Sequence, residues 1–177
     1  MLVVGPSGAG KDTLLDLARA THKGNPDMVF ARRVITRPPM GEDHDTLTEA
    51  AFMMAHQNGA FLLAWRAHGL HYGIPTSLND DLRIGRTVIA NVSRSVIPEA
   101  EQLDADLTVL NVTAAANVLA QRIAARGRES LAEIELRLKR EQPIVTTRAR
   151  IIEVHNDGAL EDGARLFMSA LESCARE

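Results

Sequence analysis

Gly5-Pro6-Ser7-Gly8-Ala9-Gly10-Lys11-Asp12, followed by Thr13, is the stretch whose reading decides the fold. It matches the phosphate-binding pattern G-x-x-x-x-G-K, with Asp12 standing where Ser or Thr is expected. Glycines let the backbone curl so that successive N–H groups point inward at phosphate oxygens. The next helix adds the positive end of its dipole, and Lys11 reaches the β- and γ-phosphates as a point charge. The flanks agree. Leu2-Val3-Val4 reads as a short buried strand, and residues 12–20 carry helical apolar spacing at Leu14, Leu15 and Ala18. Strand, Gly-rich loop and helix in that order is the arrangement the motif requires, which argues against a chance Gly-rich turn.

A chain of 177 residues suffices for one domain with a proper core. Its 45% apolar and 24% charged content is that of an ordinary globular protein. No apolar run approaches a membrane span and no signal peptide is recognised, so a cytoplasmic location without a membrane partner is expected. The single cysteine, Cys174, rules out a disulfide within the chain, which fits a reducing compartment. A net charge of −3 offers no broad basic field, so no nucleic-acid partner is expected; a homo-oligomer stays open. The basic set is 17 Arg against 3 Lys, so one of very few lysines sits in the phosphate loop. Genome base composition explains the skew equally well. Yet arginines gather at 32–33, 37, 122, 126, 128, 137 and 140, and guanidinium forks in a net-acidic chain suit small phosphorylated ligands.

Strand and helix patterns alternate along the chain. Strands are expected at 28–35, 60–67, 70–72, 87–92, 107–112 and 151–154, and helices at 48–58, 75–84, 95–103, 114–125, 131–141 and 160–172. The 60–67 and 70–72 strands flank His68-Gly69 as a hairpin. The pattern predicts an α/β fold with a mostly parallel sheet covered on both faces. A single domain follows, with a core of 1–35, 87–125 and 141–177. Residues 36–86 form an inserted acceptor-binding segment, and an Arg-rich corner at about 126–140 suits a helical lid that excludes water.

These residues resemble the guanylate-kinase-like P-loop kinases over almost the whole chain. The resemblance rests on the phosphate loop, Thr36-Arg37-Pro38 with Gly41-Glu42, Ala67-His68-Gly69 with Tyr72-Gly73, Arg126-Gly127-Arg128 and Asn156-Asp157. The chain looks more specifically like the ribose 1,5-bisphosphate phosphokinase branch. Gly10-Lys11-Asp12-Thr13, Ile35-Thr36-Arg37, the run from Ala64 to Gly73 and Arg126-Gly127-Arg128-Glu129 favour that branch. Members are similar in making 5-phosphoribosyl 1-diphosphate from ATP, in connection with phosphonate breakdown. Guanylate kinases read guanine with an acid two places before the His-Gly pair and another in the strand after the insertion; here those places hold Arg66 and Asn91. A tyrosine pair that grips the acceptor phosphate is missing around Thr46-Leu47. Guanine N–H groups need acceptors, and Arg only donates, so the exchange suits an anionic sugar phosphate.

The resemblance implies roles residue by residue. Gly5, Pro6, Ser7, Gly8, Ala9, Gly10, Lys11, Asp12 and Thr13 would hold ATP, with Asn156 near the adenine. Arg33, Arg37, Glu42, Arg66, His68, Tyr72 and Asn91 would bind the acceptor, and Lys11, Arg37, Arg126, Arg128 and Arg137 would stabilise the transferring phosphoryl group. Asp12 is expected to supply a carboxylate ligand to Mg²⁺, since the strand at 87–92 lacks an Asp; capping of the helix is its alternative role. His44, His68 and His71 do not make a metal set. Other readings are a guanylate kinase, another small-molecule phosphate kinase, or a non-catalytic binding module of the same fold.

Overall fold

The structure, a computed structural model, describes residues 1–38, 44–125 and 143–174. Five strands form a parallel sheet: β1 (Leu2–Val4), β2 (Met28–Phe30), β7 (Thr87–Asn91), β8 (Thr108–Thr113) and β9 (Arg150–His155), in the spatial order β2-β7-β1-β8-β9. A second sheet holds β3 (Arg33–Ile35), β4 (His44–Thr46), β5 (Phe61–Ala67) and β6 (Leu70–Pro75), in the order β4-β3-β6-β5. The helices are α1 (Lys11–Thr21), α2 (Glu49–Gln57), α3 (Asn79–Arg83), α4 (Ile97–Ala100), α5 (Ala116–Ala124) and α6 (Leu160–Cys174).

The central strands read as apolar runs because both faces are covered. On one face Val3, Leu110 and Val112 pack with Leu14 and Ala18 of α1 and Phe167 and Leu171 of α6. On the other, Leu2, Val4, Val88 and Val109 pack with Ile97 and Ala100 of α4 and with Leu63 and Ile74 of the β5–β6 hairpin. The second sheet therefore lies on the central one through its hairpin, and this docking builds the cleft described below.

The expected strand at 28–35 is two strands. Ala31 donates the last ladder bond, to Ile89 O at 2.8 Å, and is buried in the hairpin-side core. Arg32 then turns to Asp45, Nε to Oδ1 2.9 Å, and the chain leaves the central sheet for the second one. An extended segment that changes sheets keeps its period, so the break leaves no trace in the pattern. The helices expected at 75–84 and 95–103 each open with a 3₁₀ turn, Thr76–Leu78 and Arg94–Val96, and α4 has four residues. The helix at 48–58 is α2, with Thr48 Oγ1 accepting from Ala51 N as its cap. The helix expected at 131–141 lies outside the described residues. At the hairpin turn His68 and Gly69 have φ of 52° and 75°, the paired positive values of a two-residue turn.

One buried carboxylate ties the chain after the Arg-rich corner to the core. Glu101, just past α4, accepts from the Thr146 and Thr147 hydroxyls and from the main-chain N–H groups of Thr147, Arg148 and Ala149. The Thr146 hydroxyl first, and the Arg148 N–H next, hold its carboxyl down from 4.5 to about 2. A depressed carboxyl stabilises the fold above its unfolded pKa and loses that contribution as pH falls through the folded one. Glu101→Gln is therefore expected to melt below the wild type at pH 7. Thermal melts should show that gap closing as pH falls from 4.5 towards 2.

Candidate active site

The loop between β1 and α1 has the phosphate-cradle geometry. Gly5 has φ 144°, and a Cβ there would lie 1.9 Å from Val112 O, so the chain crosses β8 only as glycine. Gly10 caps α1 with φ 88° and offers no side-chain acceptor. The first N–H groups of α1 thus keep no capping partner and suit an anion. Lys11 Nζ donates to Gly5 O at 2.8 Å and Pro6 O at 2.9 Å, arching over the loop from its far end. Ser7 lies within the arch, and Thr13 in the first turn of α1.

Asp12 does not cap its helix. Its Oδ1 accepts from Asn91 Nδ2 at 2.7 Å and lies 3.6 Å from Arg33 Nη2. This small cluster joins three elements: the start of α1, the end of β7 and the start of β3. Arg33 is mostly covered, with a side chain 17% exposed, whereas that of Asp12 is 59% exposed. Asp12 therefore keeps one face to solvent beside the loop. Arg37 has its main chain fixed by two donors to its carbonyl, Thr46 Oγ1 at 2.9 Å and His44 Nε2 at 3.3 Å.

Strand pairing sorts the remaining acceptor residues by face. Ile35 pairs with Tyr72, and Tyr72 with Trp65, whose rings stack at 5.3 Å. Arg33 shares their face through the period of two, and its contact with Asp12 turns that face to the loop. Arg66 pairs with His71 and lies on the opposite face, where His71 meets Glu49 of α2 at 3.2 Å. The pleat thus puts Arg66 and Tyr72, both expected to bind the acceptor, on opposite faces of the sheet, and Arg66 is exposed. His68 is at the exposed tip of the hairpin turn. Asn156, expected near the adenine, lies under the phosphate loop. It is buried, and its Nδ2 donates to Ala9 O at 2.8 Å, inside the phosphate loop. Glu42, Arg126, Arg128 and Arg137 lie outside the described residues.

A second polar group escaped the sequence reading. Arg94 Nη2 donates to Asn111 Oδ1 at 3.1 Å, and Asn111 Nδ2 donates to both Glu153 carboxylate oxygens at 3.0 and 2.9 Å. Asn111 pairs in register with Val4, the residue before the loop. The relay therefore runs from the turn after β7 to β8 and β9, level with the last residue of β1. A polar Asn inside the apolar run 107–112 is the one signal in the sequence that could have found it.

The donor set beside the loop fits a magnesium ion that phosphates hold in part. Asp12 offers an exposed carboxylate there, and Mg²⁺ commonly takes one or two carboxylates together with phosphate oxygens and waters. Among the described residues no group of three His, Cys, Asp or Glu side chains would hold a metal by itself. None of their helices is long and apolar enough to cross a membrane.

This is the fold of a P-loop kinase of the guanylate kinase type. A guanylate kinase from Anaplasma phagocytophilum superposes with a TM-score of 0.67 at 15% identity, covering 100% of this chain and 86% of that one. No protein-family profile matches the chain. A ribose 1,5-bisphosphate phosphokinase from Brucella melitensis is 45% identical over 175 residues, 98% of this chain and 91% of its own length. A bifunctional ribose 1,5-bisphosphokinase-thymidine phosphorylase from Cupriavidus pinatubonensis is 49% identical over 176 residues, and the match spans 29% of that longer protein. The chain belongs to the ribose 1,5-bisphosphate phosphokinase family.

Asn111→Ala removes the amide that links Arg94 to Glu153, leaving a buried strand position without its hydrogen bonds. Urea denaturation should show a loss of about 1–3 kcal/mol.

Proposed function

We propose that this protein transfers the γ-phosphoryl group of ATP to the 1-phosphate of ribose 1,5-bisphosphate, giving 5-phosphoribosyl 1-diphosphate and ADP. The observation that carries the reading is the intact phosphate loop with Asp12, Asn91 and Arg33 gathered at its mouth. The names of relatives at 45–49% identity support the same acceptor. The fold alone would suit a guanylate kinase equally well.

The acceptor is an ionised phosphate, so transfer needs alignment and charge neutralisation rather than a strong base. The loop N–H groups and Lys11 hold the donor phosphates. Arg33, on the face turned to the loop, is placed to bind the attacking phosphate as a fork, and Tyr72 on Trp65 walls that side of the cleft. Asn91 holds Asp12 in place by donating to one of its oxygens. Arg66 lies on the face opposite Tyr72, so the preference for a sugar phosphate is assigned to Asn91, where a guanylate kinase would hold an acid. Mg²⁺ would supply neutralisation of the donor phosphates, held by Asp12. Arg37 belongs to the acceptor side by its place after β3; Arg126, Arg128 and Arg137 are assigned to the transferring group on the family resemblance alone. A cytoplasmic location fits these small charged substrates.

A panel of phosphorylated acceptors with ATP and Mg²⁺, read by product mass, should give 5-phosphoribosyl 1-diphosphate from ribose 1,5-bisphosphate and no GDP from GMP. Efficient GMP phosphorylation would overturn the assignment. Asp12→Asn should raise the Mg²⁺ concentration for half-maximal activity about 10-fold. An unchanged Mg²⁺ dependence would restrict Asp12 to holding Asn91 and Arg33.

A further inference from the structure

Asn156 occupies a seat that two glycines leave open. The residue is 3% exposed. A Cβ on Gly10 would lie 2.5 Å from its Nδ2, and a Cβ on Gly163 would lie 2.1 Å from its Oδ1. The amide is therefore wedged between the phosphate loop and α6. Its main chain is fixed as well: Asn156 N donates to Thr113 O at 2.8 Å, and its carbonyl accepts from Arg122 Nη1 at 2.8 Å. The next residue, Asp157, accepts from Ala115 N at the start of α5.

What this rigid amide touches is the carbonyl of Ala9. In a trans peptide the C=O of one residue and the N–H of the next point in opposite directions. Holding Ala9 O against Asn156 therefore turns the Gly10 N–H the other way, towards the hollow of the loop. Gly10 N makes no main-chain hydrogen bond among the described residues, which leaves that donor for a ligand. The N–H of the amide is what makes this contact. A carboxylate would set two acceptors against each other, because it has no N–H to give.

We propose that Asn156 is a positioning residue for nucleotide binding. It sets the Ala9–Gly10 peptide so that the Gly10 N–H faces the donor phosphates, and Gly163 is glycine to make room for it. Gly163 lies inside α6, where alanine is otherwise the better helix former. Its cost is explained by the seat, not by the helix. The inference rests on the reading that the loop binds ATP.

The test is ATP affinity by calorimetry at fixed Mg²⁺, with KM for the acceptor and thermal melts, on Asn156→Asp, Asn156→Ala, Gly163→Ala and the Ala/Ala double variant. Asn156→Asp and Gly163→Ala should each weaken ATP binding about 10- to 100-fold with the acceptor KM nearly unchanged. Gly163→Ala should do no further harm in the Asn156→Ala background, since the amide it displaces is gone. If Gly163→Ala fails to fold, recovery of folding in the double variant supports the inference and its absence overturns it. ATP affinity close to wild type in folded Asn156→Asp would overturn it, as would equal harm from Gly163→Ala in both backgrounds. Wild-type protein that binds no ATP would defeat the underlying reading, and the inference with it.

Discussion

The crossing of the chain over the end of β8 at Gly5 is the constraint on which the site depends. A side chain there would collide with the Val112 carbonyl. Because the approach is that close, the loop curls directly over the carboxyl ends of the parallel strands, and α1 starts with its donors uncapped. Lys11 can then arch back to Gly5 O and Pro6 O. The positive end of the helix, the lysine and the curled amides meet at one place because one Cβ is missing.

The second sheet turns that place into a cleft. Its hairpin buries Leu63 and Ile74 against Val4 and Val88, so apolar packing sets the distance between the two sheets. At that distance Arg33 meets Asp12, and Asn91 meets it from β7. Hydrophobic burial thus fixes the position of a charged cluster. The same docking gives the second sheet one face towards the loop and one towards α2, which puts Trp65 and Tyr72 on the first and Arg66 on the second.

The phosphate loop and the parallel sheet were legible in the sequence because both are local patterns: glycines at fixed spacing, and apolar runs between helical periods. Polar contacts across the chain were not. Asp12 reads as a departure within its motif, and only the return of β7 beside β1 shows Asn91 as its partner. Asn156 reads as a strand-end residue suited to a ligand, and only the packing of α6 shows it wedged between Gly10 and Gly163. The break between β2 and β3 stayed hidden because an extended chain looks alike in either sheet.

The sequence by itself determined that a phosphate-binding loop sits between a buried strand and a helix. The spacing of Gly5, Gly10 and Lys11 is a property of consecutive residues, and it determined the class of ligand. Tertiary structure alone decided which side chains serve that loop. Asn91, Arg33 and Asn156 lie 79, 21 and 147 residues from Asp12, Asp12 and Ala9 respectively. Their contacts follow from strand order, from the face each residue takes in the pleat and from the space left by glycines, and those are set only when the layers pack.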